Sequence, residues 1–168
     1  MSTLRRSVRI ASMSNVSPMT DNATMTDEPT MFPPSPSKEL ANRLERKLSL
    51  MNELKTAAFQ TTSSIQYMRN NLKTRASCEE PTAEAIVWLT RLSWAVQDCH
   101  EYKMRQLFTN CDDTVMDSIP TVIQHFHKLM EEAELMNERF RQHVVVPRDL
   151  VAEVCSFGIN VKDAFYHI

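Results

Sequence analysis

One glycine, Gly158, serves a chain of 168 residues, where average usage of ~7% would supply roughly twelve. Glycine is the residue that reaches positive φ and lets a backbone approach a ligand closely. A chain with a single glycine cannot build glycine-rich phosphate loops, dinucleotide-binding turns, nucleophile elbows or tight two-residue hairpins. Helices need no such positions in their interior. With 42% hydrophobic and 24% charged residues, the chain has enough apolar side chain to bury a core, and its length suits one domain. These constraints predict an all-α protein.

The prolines divide it. Five of the eight, Pro18, Pro29, Pro33, Pro34 and Pro36, fall in residues 1–37 among many Ser, Thr and Met residues. That composition cannot bury a core and is expected to form a disordered tail. Residues 38–75 predict one long helix. Leu44, Met51, Ala58, Ile65 and Leu72 are apolar at a strict spacing of seven, and Leu40, Leu54 and Met68 fill a second row, with Lys47 and Thr61 as defects. This is the spacing of a coiled-coil seam. The run Thr61-Thr62-Ser63-Ser64 is a weak helix former and is expected to loosen the middle.

Residues 78–168 predict a helical body packing with that helix, to give about four helices in a bundle-like arrangement. Pro81, Pro120 and Pro147 are each expected at a helix start, because proline suits the first turn. The second helix is read from about Pro81 to Phe108. Its broad face runs from Ala85 to Tyr102, and Val87 and Trp94 lie off that face, which predicts cover on two sides. The third, from about Ser118 to His143, carries a clean stripe from Ile119 to Phe140 with Glu131, Glu132, Glu134 and Glu138 outside it. Val144-Val145-Val146 reads as an extended connector into Pro147. The fourth helix buries Leu150, Val154, Phe157, Val161 and Phe165, and Gly158 in its midst either kinks it or admits a close neighbour.

Little in this pattern points to chemistry. No catalytic, cofactor-binding or metal-ligating residue is assigned. His125 and His127 diverge by roughly 200° on a helix and cannot share a metal. Cys99 and Cys155 fall on apolar faces, where a free thiol packs as a small hydrophobe. Cys111 lies beside Asp112 and Asp113, which disfavour its thiolate. That acidic pair itself reads as a helix cap. No apolar run in the first 30 residues resembles a signal peptide, so Cys78, Cys99, Cys111 and Cys155 are expected to be reduced thiols. No stretch is apolar enough to span a membrane.

Charge is graded along the chain. Arg5, Arg6 and Arg9 stand in a tip with no acid before residue 20, residues 38–75 balance to +5, and residues 76–168 to −7. A basic tip on an acidic body points to an acidic protein partner, such as a chromatin component, and disfavours direct DNA binding. Arg5-Arg6-Ser7-Val8-Arg9-Ile10 resembles tail segments of nuclear and chromosomal proteins and the sites of basic-directed kinases of the Aurora or protein-kinase-A type. Ser7 and Ser12 are the acceptors this implies, and Arg46-Lys47-Leu48-Ser49 offers Ser49 as another. Ser35-Pro36-Ser37-Lys38 resembles a cyclin-dependent kinase site and Ser17-Pro18 a minimal one. Arg46-Lys47-Leu48-Ser49-Leu50 resembles a cyclin-docking motif. A phosphate at Ser35 or Ser37 would sit at the first helix's amino end, where the helix dipole favours an anion.

The sequence therefore predicts a non-catalytic helical scaffold or adaptor subunit of a nuclear, cell-cycle-regulated complex, similar in architecture to chromosome- and kinetochore-associated helical subunits. Its partners are expected to be other helical subunits, in a hetero- or homo-oligomer. Arg5, Arg6 and Arg9 in the tail, Leu44, Met51, Leu54, Ile65, Met68 and Leu72 on the long helix, and Trp94 are the expected contact residues. The alternative is a helical adaptor in a cytoplasmic trafficking or cytoskeletal complex.

Overall fold

The computed structural model describes residues 35–76, 79–109 and 112–165. Four helices form a bundle: α1 (Pro36–Arg75), α2 (Glu79–Thr109), α3 (Asp113–Arg141) and α4 (Arg148–Phe165). The expected tail through residue 34, with Ser7, Ser12, Ser17, Arg5, Arg6 and Arg9, and also Cys78 and Cys111, lie outside the described residues.

α1 is the shared wall, packing closely on both α2 and α3, while α2 packs on α4. Its buried stripe is Leu50, Leu54, Ala57, Ala58, Thr61, Ile65, Met68, Asn71 and Leu72. α1 and α3 run parallel, as their matched pairs show. Arg43 meets Asp113 at 3.1 Å, Arg46 meets Asp117 at 2.6 Å, and Arg75 reaches the Phe140 carbonyl at 3.0 Å. α2 runs antiparallel to α1, with Arg69 of α1 3.5 Å from Thr90 and Lys55 beside His100. α3 and α4 are antiparallel and meet through an Arg139–Glu153 ion pair and a Phe126–Phe165 ring contact at 5.8 Å.

Buried polar groups in the seam close on backbone carbonyls. Thr61 is fully buried, and its hydroxyl lies 2.8 Å from the Ala57 carbonyl and 2.9 Å from the Phe126 carbonyl of α3. The expected weak point at 61–64 is therefore no break: α1 is continuous, and Thr61 joins it to α3. Asn137 reaches back from α3 to the Ser64 carbonyl at 3.0 Å. At the far end Arg75 donates to the Phe140 carbonyl in the last turn of α3, which also accepts from the His143 N–H, and to the Val144 carbonyl of the connector. The Val146 N–H then donates to the Arg75 carbonyl at 2.8 Å, so the valine run is the extended connector its sequence predicts.

Three sequence expectations are corrected. α3 begins at Asp113 and not near Ser118. Asp112 caps it by accepting from the Thr114 N–H at 3.2 Å, and Pro120 lies inside the helix. Proline there forfeits a hydrogen bond to the Met116 carbonyl and crowds that carbonyl, a cost of ~3 kcal/mol that the packing of α3 offsets, and the residue itself is exposed. α2 packs on both α1 and α4, but Val87 and Trp94 do not lie on a covered side, being 47% and 61% exposed, and Tyr102 of the expected broad face is 58% exposed. The long-helix seam is buried only from Leu50 onward, and Leu40, Leu44 and Leu48 stand exposed.

Gly158 resolves as a close approach within an unbroken helix. A Cβ there would lie 2.8 Å from the Trp88 Cβ and 3.3 Å from the Trp88 carbonyl carbon. Both atoms belong to or adjoin the α2 backbone, so neither can swing aside. Gly→Ala inside a helix ordinarily gains up to ~1 kcal/mol, but overpacking of this kind costs about 1–3 kcal/mol. Gly158→Ala is thus expected to lower the melting temperature, which a calorimetric comparison with the parent chain reads directly. Thr61→Val keeps the shape and removes the hydroxyl. It is expected to cost about 0.5–1.5 kcal/mol in urea unfolding, the range for a typical intramolecular hydrogen bond, since both carbonyls keep their helical N–H donors.

Candidate partner surface

The core is continuous from Leu50 of α1 to Phe157 of α4, and the space left lies in grooves between helices. The groove between α1 and α2 has a volume of about 570 Å³ and is lined by Asn52, Lys55, Thr56, Ala58, Phe59, Thr62, Gln97 and His100. No carboxylate is among them. Phe59 is 72% exposed at its edge. Trp94 lies one turn before Gln97 on the other wall, and Leu48 lies one turn before Asn52. Phe108 near the end of α2 is 65% exposed. This outer face of α1 and α2 holds Phe59, Trp94 and Phe108, the three aromatic side chains most exposed among the described residues.

His100 has its Nε2 buried in this groove without a hydrogen-bond partner among the described residues. Burial holds the imidazole below its ordinary value, Glu101 opposes that shift and Lys55 adds to it. The cationic form is therefore disfavoured in the fold. The unfolded chain binds the extra proton more readily, so stability falls as pH drops below about 6.5, the ordinary imidazole value. His100→Gln is expected to flatten that part of a pH–stability curve measured by denaturant titration between pH 5 and 8.

The two described thiols are not activated. Burial pushes both Cys99 and Cys155 upward; Lys103 partly opposes the shift at Cys99, and Glu84 reinforces it at Cys155. Among the described residues no three His, Cys, Asp or Glu side chains converge as metal ligands would. His125 instead sits one turn from Thr121, with its Nδ1 2.7 Å from that carbonyl. A second groove, between α1 and α3, contains Tyr67 and Arg141. The guanidinium lies over the Tyr67 ring at 5.8 Å, and hydrogen bonds from Arg141 and Asn71 lower the phenol's pKa. No helix among the described residues is long and apolar enough to cross a membrane.

The residues expected to meet a partner separate into two groups. Leu54, Ile65, Met68 and Leu72 are fully buried in the chain's own core, and Met51 is half-buried against it. That seam closes on α2 and α3 of the same chain. Leu44 and Trp94 are exposed, at 48% and 61%. Sequence reasoning missed Phe59 and Phe108. Their signal was available: both are large apolar residues off the buried stripes of their helices. Of the motif residues, Ser35 is the N-cap of α1 with no side-chain cap bond. Ser49 is exposed and donates to Glu53 at 2.7 Å. Leu50 of the cyclin-docking-like run is buried, and Arg46 is paired with Asp117.

Comparison with family models, with curated proteins and with solved structures returns no match. The class is defined by the fold itself: a four-helix bundle whose first and third helices run parallel, with an exposed aromatic face on its first and second.

Proposed function

We propose that this chain is a non-catalytic helical scaffold or adaptor subunit of a nuclear, cell-cycle-regulated complex, associated with chromosomes or kinetochores. The observation that carries the binding role is the exposed face of α1 and α2, where Phe59, Trp94 and Phe108 stand in solvent beside a groove. Rigid aromatic anchors next to a groove are what helical interfaces use. The nuclear and cell-cycle part of the reading rests on the kinase-like motifs. Ser35 and Ser37 belong to the cyclin-dependent-kinase-like run and occupy the first positions of α1. A phosphate there meets the positive end of the helix dipole. Arg5, Arg6 and Arg9 supply the basic tip for an acidic chromatin partner, and phosphates on Ser7 and Ser12 would cancel that charge.

Tagged purification from dividing and resting cells, with mass spectrometry of partners and phosphosites, tests this directly. The expected result is recovery of chromosomal or spindle proteins with Ser7 or Ser35 phosphorylated in mitosis. Vesicle or cytoskeletal partners without a cell-cycle change would replace this reading with the cytoplasmic adaptor.

A further inference from the structure

The outer face of α2 carries a row that its core does not use. Val87, Trp94, Glu101 and Phe108 recur at a strict spacing of seven, and all four are exposed. Seven-residue spacing marks one side of a helix. The adjoining flank of α1 has the matching row Leu48, Lys55 and Thr62, with Phe59 one turn beyond Lys55. Leu48 is 60% exposed and Phe59 72%. The α2 row is apolar at both ends and the α1 row at Leu48, and each carries a charge in its middle, of opposite sign: Lys55 on α1, Glu101 on α2.

Register within the chain makes this more than composition. Lys55 lies level with His100 across the α1–α2 groove, and Arg69 lies level with Thr90. By that antiparallel register Leu48 is level with Phe108, Lys55 with Glu101, and Thr62 with Trp94. Rotation by 180° about an axis parallel to the helices, in the plane of the face, preserves these levels and exchanges α1 for α2. A second copy so placed sets its α2 on the first copy's α1, antiparallel. Leu48 then faces Phe108, Lys55 faces Glu101, and Phe59 and Thr62 face Trp94, each pairing occurring twice. The other two-fold, perpendicular to the helices, stacks α1 on α1 and sets lysine toward lysine.

We propose that a second copy of this chain covers the α1–α2 face, forming a two-fold dimer with Lys55 and Glu101 at its centre. In the monomer the ion pair that Glu101 makes among the described residues is an exposed one with Arg105 at 3.6 Å, which is weak competition. The inference goes beyond the functional reading above and does not depend on it: dimerisation is measured on the purified chain, whereas the cellular role is read from partners and phosphosites.

Sedimentation equilibrium of the full 168-residue chain is the test, with circular dichroism to verify that each variant keeps its helix content. The parent chain is expected to be a dimer. Lys55→Glu and Glu101→Lys each place like charges at both copies of the pairing and should weaken dimerisation at least about tenfold. The double variant K55E/E101K restores opposite charges and should recover most of that loss. Trp94→Ser, at an exposed position, should weaken the dimer by a route independent of charge. A parent chain that stays monomeric at every concentration overturns the proposal. So does a dimer indifferent to both charge reversals, or a double variant no tighter than the weaker single one.

Discussion

Burial of one stripe of α1, from Leu50 to Leu72, is the constraint on which the other helices depend. A helix of this length is flanked by α2 on one side and α3 on the other, and neither of those could close a core without it. Leu54, Ile65, Met68 and Leu72 are removed almost completely from water, and fully burying a side chain of this kind contributes about 1.5–3 kcal/mol. The exposed ion pairs Arg43–Asp113 and Arg46–Asp117 contribute far less, since pairs in solvent give ~0–1 kcal/mol. Apolar burial supplies the stability, and the ion pairs and carbonyl-directed hydrogen bonds select the register.

Register selection is where polar residues matter in this core. Apolar side chains alone would tolerate a slide of α3 along α1 by a turn. Thr61 to the Phe126 carbonyl, Asn137 to the Ser64 carbonyl and Arg75 to the Phe140 carbonyl each fix the same parallel alignment from three heights. On the other side, the missing side chain of Gly158 sets how near α4 comes to Trp88. With the inner stripe of α1 committed to the chain's own core, the surface left for partners is the outer flank that α1 shares with α2.

Much of the fold was legible from the sequence, because helical periodicity and proline placement are local signals. The helix count, the stripe of α3 and the connector through Val146 all follow from them. What a seven-residue spacing does not encode is whether its complement lies in the same chain or another. Leu44 and Leu54 belong to one pattern, yet Leu54 is buried and Leu44 stands free, since the antiparallel register runs past Thr109 before it reaches Leu44. Pro120 misled for a related reason: proline is favoured at a helix start, but the cap at Asp112 sets the start earlier and an exposed interior proline is tolerated. The candidate face was half legible. Trp94 was apparent as an apolar residue off its stripe, whereas Phe59 was hidden by the strength of the neighbouring seam.

Hydrogen exchange of the isolated chain, resolved along α1, tests most directly whether that helix is the inner wall of this bundle. Amides from Leu50 to Leu72 should exchange slowly and together with those of α3 from Ile119 to Ala133, while the first three turns of α1 exchange quickly. Fast exchange along the whole of α1, with protection confined to the other helices, would contradict the account and return the seam to an external partner.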